Sequence, residues 1–283
     1  MENMVDERFE LCALIFRLVP GSYFDKETGT EYHVKLDDTF MQFAKHPVVE
    51  CAKSLQQSVG LGFDAVGRYA VHLKKEDGKF KLIDDLQLLT IDSRWNEDRA
   101  MSFLKLLNDF YLDTQFGFFY NEHIKFYEEE TRKFIDHTYG KIDFKWFAKY
   151  IDISHMRCIY SPSLKRMNFA TRVGELIYSI VPHNSSIIHE YCHSFANPIA
   201  EKWYNENAAF KKMCDDTVAQ GKVSWYQQGI ICANEYVTRA FNILHDYQHG
   251  EGDLQTLILR EQNHYVENSF PFMQQVYDMV VEY

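Results

Sequence analysis

The chain has 283 residues, a formal net charge of −11, and 46% hydrophobic and 16% aromatic residues. At this length roughly three-quarters of the unfolded surface can be buried, enough for one large domain or two lobes. An acidic balance with no block of Lys and Arg argues against nucleic acid or an anionic membrane as partner and suits a neutral or basic peptide, and no apolar run approaches the roughly 20 residues of a membrane span.

Residues 6–18 place Phe9, Cys12, Ala13, Phe16 and Leu18 near one face at helical spacing, which predicts a first helix. A loop over Asp25 to Gly29 follows. Asp37 or Asp38 can cap a helix running through Phe40, Phe43 and Val48 to Leu55, interrupted or kinked at Pro47 and ended by Gly60 and Gly62. Residues 96–113 repeat apolar positions at Met101, Leu104, Leu107, Phe110 and Tyr111, and a further helix over about 119–138 ends at Gly140. After Gly140 the character changes. Cys158 to Ser161 and Glu175 to Val181 are β-branched and aromatic runs bounded by Pro162, Gly174 and Pro182, and they read as short strands. The expected architecture is α+β and predominantly helical, with a helical N-terminal lobe over 1–140 and a second lobe over 141–283, or one continuous domain.

Cys12, Cys51, Cys158, Cys192, Cys214 and Cys232 show no CxxC spacing, so reduced thiols are expected. Glu2, Asp6, Glu7 and Arg8 precede the first apolar run, which is not the basic-then-apolar order of a secretory signal, and a cytoplasmic location is expected. A secreted protein whose signal peptide has been removed would read the same way.

The segment Ile187 to Phe195 carries His189-Glu190-Tyr191-Cys192-His193, an HExxH pattern among apolar residues. Histidines four apart share one helix face, with Cβ atoms roughly 5–6 Å apart, so both imidazoles can reach one tetrahedral zinc ion. Glu190 is turned about 100° away, beside that ion. Asn184, Ser185 and Ser186 offer N-caps, and Asn197-Pro198 predicts that the helix ends near Ala196 and that a new one starts there. The alternative is a core helix with two incidental histidines. The preceding strand, Glu175 to Val181, is expected either as an exposed edge that hydrogen-bonds an extended peptide across the site or as an ordinary sheet strand.

Two histidines leave zinc under-coordinated, since a catalytic site has three protein ligands and one open position. The metzincin continuation is excluded by Ala196 and Ile199 where Gly and His would stand. Among the downstream acids Glu201, Glu206, Asp215, Asp216 and Glu235, only Glu235 lies in a strongly apolar, helical stretch, Ile230 to Val237. Glu235 is therefore the chosen third ligand, with Glu201 and Glu206 as substitutes and a Glu235–Arg239 salt bridge as the competing role. A second histidine pair, His245 and His249, lacks the Glu and lies beside Gly250 and Gly252. It reads as a helix C-terminus, and His249 sits about 21 Å beyond Glu235 along a continuous helix.

With His189, Glu190, His193, Asn234 and Glu235, the chain resembles the gluzincins, zinc peptidases in which HExxH is followed some tens of residues later by Glu in an Asn-Glu helix. That specific likeness covers roughly residues 176–241. More of the chain, from Val5-Asp6-Glu7-Arg8-Phe9-Glu10-Leu11 through HEYCHSFANP to Glu235-Tyr236-Val237-Thr238-Arg239-Ala240, is similar to an uncharacterised bacterial domain family bearing HExxH. The resemblance implies a zincin-like catalytic domain with a short sheet and two metal-bearing helices. Thermolysin-like gluzincins place an acid four residues after the ligand Glu to orient the first His. This chain has Arg239 there, which leaves the outer partner of His189 open, with Arg239 free to steady Glu235 or to hold a substrate carboxylate.

The implied chemistry is peptide hydrolysis by a zinc-activated water with Glu190 as general base. Tyr160, Tyr178, His183, Tyr236, His264 and Tyr265 are candidate donors to the oxyanion. A non-catalytic zinc- or peptide-binding module is the alternative, and a structural protein without metal is a third reading.

Overall fold

In the computed structural model, residues 4–83, 92–182, 187–222 and 227–283 are described. Two compact units emerge, residues 1–142 with 155–187 and residues 143–154 with 188–283.

The first unit is built around α1 (Glu7–Arg17), where Asp6 caps the Arg8 N–H and every residue from Phe9 to Arg17 is buried. A helix apolar on nearly all sides is stable only when surrounded, and α3 (Pro47–Val59), α4 (Phe63–Val71) and α6 (Phe116–Glu122) pack against it. The helix expected to start at Asp37 or Asp38 instead ends there. α2 (Glu31–Phe40) begins at Thr30, which forms a capping box with His33, and Asp37 in its last turn binds Arg17 at 2.7 Å. Pro47 starts α3 rather than kinking it, because a proline at the first helical position gives up an N–H that had no helical partner. Gly60 ends α3 in the left-handed region (φ 67°), whereas Gly62 is the N-cap of α4. Gly67 of α4 lies against Phe169, whose ring would be 1.8 Å from an added Cβ.

β1 (Leu73–Glu76) and β2 (Lys79–Leu82) form a hairpin through Asp77 and Gly78, both at positive φ. Asn96 caps α5 (Glu97–Asp113), as the 96–113 periodicity predicts. The single helix expected over 119–138 is two, α6 and α7 (Ile124–His137), broken at His123, whose ring bonds the Phe119 carbonyl at 2.8 Å.

β3 (Met156–Tyr160), β4 (Phe169–Val173) and β5 (Leu176–Val181) form a sheet in the order β3-β5-β4, with β5 parallel to β3 and antiparallel to β4. The edge-strand expectation for Glu175 to Val181 is therefore wrong, since β5 is central and its backbone is paired on both sides. Its near-continuous apolar run, Leu-Ile-Tyr-Ser-Ile-Val, is the pattern of a strand covered on both faces.

The second unit centres on α11 (Gly229–Gln248), packed by α10 (Ala208–Ala219), α12 (Leu254–Gln262) and α13 (Met273–Glu282). The short α8 (Phe144–Phe147) and Tyr150 complete its core. Tyr150 stacks on Phe195 at 4.7 Å, and Phe195 meets Phe241 at 4.9 Å. Phe195 belongs to α9 (Ile187–Glu206), which does not stop near Ala196 but runs through Pro198. Pro198 is exposed, so water can take the carbonyl bond that its missing N–H forgoes. The expected caps Asn184 to Ser186 lie outside the described residues. Among the described residues no helix is long and apolar enough to cross a membrane.

Candidate metal centre

α9 and α11 present His189, His193 and Glu235 to one another. The three side chains form a group whose potential ligand atoms all lie within 4.8 Å, and it is the only such group among the described residues. The Nε2 atoms of His189 and His193 are 3.0 Å apart. Glu235 Oε1 is 3.5 Å from His193 Nε2, and Oε2 is 3.7 Å from His189 Nε2. Donors around a tetrahedral zinc at about 2.0–2.2 Å stand roughly 3.3–3.6 Å from one another, and the three observed edges bracket that range. The side chains keep 12%, 17% and 14% of their exposure, which suits a site with a position left for a small molecule rather than one sealed by protein.

The electrostatics agree with the donor set. Burial, reinforced by the neighbouring His193, holds the His189 imidazole well below its ordinary pKa, so it is neutral as a metal ligand must be. His193 Nδ1 lies 2.9 Å from Asn197 Oδ1 and 3.0 Å from Thr238 Oγ1, and His189 Nδ1 lies 2.8 Å from the Asn242 amide. Both rings are thus gripped on the nitrogen that faces away from Glu235. Each part of this arrangement is carried by two helices and by local spacing: i, i+4 on α9, and Glu235, Thr238 and Asn242 on one face of α11.

Arg239 is buried, and its guanidinium donates to Glu235 Oε2 at 3.1 Å, to Glu261 Oε2 at 2.8 Å and to the Tyr265 hydroxyl at 3.0 Å. Its face also packs against the rings of Tyr265 and Phe270. Of the two roles open to it in the sequence, the steadying of Glu235 is the one its contacts match. Glu190 lies on the same helix as the histidines and is only 6% exposed. Glu201 and Glu206, the substitute ligands, are exposed toward the far end of α9 and do not join the group.

The candidate oxyanion donors separate. Tyr160 and Tyr178 belong to the first unit, and His183 lies outside the described residues. Tyr236 is buried and its hydroxyl is 2.8 Å from Thr217 Oγ1. His264 Nδ1 lies 3.7 Å from Glu261 Oε2, in the cluster around Arg239 that also holds Glu235, and burial followed by Arg239 lowers its pKa. The second histidine pair stays apart from the group. His249 caps α11 and its Nδ1 is 2.7 Å from the His245 carbonyl, the helix-end role expected of it.

Sequence reasoning missed Asn197, Thr238 and Asn242. A usable signal was present, since Thr238 and Asn242 follow Glu235 at spacings of three and seven, on the same face of a largely apolar helix. Comparison with family models, curated proteins and solved structures returns no match for this chain.

Proposed function

We propose that this protein is a zinc-dependent metallopeptidase of gluzincin-like, zincin-like character. The observation that carries the reading is the convergence of two imidazoles four residues apart and one carboxylate from a second helix, all within 4.8 Å. Two imidazoles with their outer nitrogens held, a carboxylate and residual exposure form a donor set suited to zinc and compatible with other borderline divalent ions.

In this reading His189, His193 and Glu235 hold the ion. Zinc, when bound, brings a water molecule toward ionisation near neutral pH and polarises a carbonyl oxygen. Glu190 takes the proton of the attacking water and passes it to the leaving amine, a task that its buried carboxyl favours by keeping competing solvent away. His264 supplies an N–H toward the developing oxyanion. Arg239 fixes the Glu235 carboxylate through Oε2. The substrate class is a peptide, and the acidic chain favours neutral or basic sequences.

The same Arg239–Glu235 ion pair favours a second reading, in which the site binds metal or peptide without turnover, because a guanidinium on the carboxylate weakens it as a donor. One substitution separates the two. Glu190→Gln is expected to lower peptide hydrolysis by about 10²- to 10⁴-fold while zinc content, measured by elemental analysis, stays at one per chain. Turnover that survives Glu190→Gln with full metal loading removes Glu190 as base, and zinc-loaded wild-type protein inert on a diverse peptide library supports the binding module.

A further inference from the structure

A guanidinium on a ligand carboxylate draws off part of the charge that a metal needs, and Arg239 sits on Glu235 Oε2 at 3.1 Å. Its charge does not fall there alone. Arg239 Nη1 lies closer to Glu261, 2.8 Å from Oε2, while Nη2 also donates to the Tyr265 hydroxyl at 3.0 Å. Arg239 and Glu261 keep only 2% and 6% of their side-chain exposure, so water screens little of the attraction between them. Two carboxylates from two helices, Glu235 on α11 and Glu261 on α12, therefore compete for one guanidinium.

Glu261 is itself divided. Its Oε1 is 2.9 Å from Arg260 Nε and 2.9 Å from Arg260 Nη2, and the latter reaches Asp246 Oδ2 at 2.7 Å. Arg260 keeps 45% of its side-chain exposure, so its hold on Glu261 is screened and weaker than that of Arg239. The five groups form a row of alternating sign, Glu235, Arg239, Glu261, Arg260 and Asp246, with its outer end in water and its inner end at the candidate metal centre.

We infer that Glu261 is a positioning residue for that centre: by drawing the Arg239 guanidinium toward α12, it limits the positive charge that falls on Glu235 and keeps that carboxylate a strong donor. The inference rests on the metal reading of His189, His193 and Glu235 proposed above. Arg239 then steadies Glu235 through a hydrogen bond without neutralising it.

Zinc affinity of the full chain, measured by competition with a chromophoric chelator, tests this. Glu261→Gln keeps the shape and lets Arg239 bear on Glu235 alone, and zinc is expected to bind about tenfold more weakly. Arg260→Gln leaves Glu261 wholly to Arg239, and zinc is expected to bind about two- to fivefold more tightly. The opposite signs are the signature, because each change removes an ion pair between α11 and α12, and a merely structural role would move both affinities the same way or neither. In the double variant the Arg260 change has no carboxylate to act through, so affinity is expected to match that of Glu261→Gln. Fully additive effects would mean that both charges act on the ion directly through space, which overturns the inference. So does unchanged affinity in Glu261→Gln protein that has loaded zinc. If Glu261→Gln fails to fold, Arg260→Gln decides alone, and an affinity that stays equal or falls overturns the inference. Wild-type protein that takes up no zinc overturns the metal reading and this inference together.

Discussion

Glu10 shows how a single buried acid ties stability to pH. Its carboxylate is 1% exposed and accepts from Ser161 and Ser163 at 2.5 Å and from Tyr32 at 3.2 Å. Burial outweighs those three hydroxyls and pushes its pKa from 4.5 up to about 7. The folded form thus keeps a proton that the unfolded chain has released, and its contribution is full below pH 4.5 and lost as pH rises to 7. Glu10→Gln removes the dependence. Its advantage over wild type in urea unfolding is expected to grow by about 3 kcal/mol between pH 4.5 and pH 8, and a constant difference would show that Glu10 titrates normally. His72 acts at the other end. It is fully buried, and burial lowers its pKa, so stability falls as pH drops below about 6.5.

At the scale of elements, a buried cation ties α11 to α12, beside the more exposed Arg260–Asp246 pair. Arg239 stands between Glu235 and Glu261, with only 2% of its side chain exposed. Arg239→Met strands two partly buried carboxylates and is expected to cost about 3 kcal/mol, read as a lowered urea midpoint with unchanged slope. A loss under about 1 kcal/mol would mean that Arg260, already 2.9 Å from Glu261, takes over. The elements most legible in the sequence were those whose signals are local. The HExxH helix and the α11 carboxylate could be read from spacing and from an acid in an apolar run. What escaped depended on partners far along the chain. The β1–β2 hairpin carries Lys74, Lys75, Glu76 and Lys81, with only Leu73 and Phe80 buried, so it lacked the β-branched signature of a strand. α9 runs past Pro198 because tertiary packing of Phe195, Ala196 and Ala200 holds the helix together on both sides of the break. Asn242 was hidden for another reason, because an amide two turns from a ligand has no chemical mark of its own until the ring it touches is known.

For the whole molecule, the candidate site draws all its residues from the second unit. Zinc should then stabilise that unit selectively, by about 2.7 kcal/mol at a hundredfold excess over its dissociation constant. Hydrogen exchange is expected to slow on α8, α9, α11 and α12 when zinc is added, with little change over α1 to α5. Equal slowing everywhere would mean that the chain opens as one cooperative body. The division of the chain has a consequence during synthesis. Trp146, Phe147 and Tyr150 leave the ribosome as an aromatic cluster, yet Phe241 and His245, which they pack against, are about ninety to a hundred residues away. At roughly 5–20 residues per second those rings wait on the order of 5–20 s for their partners, long enough for a chaperone to find them first.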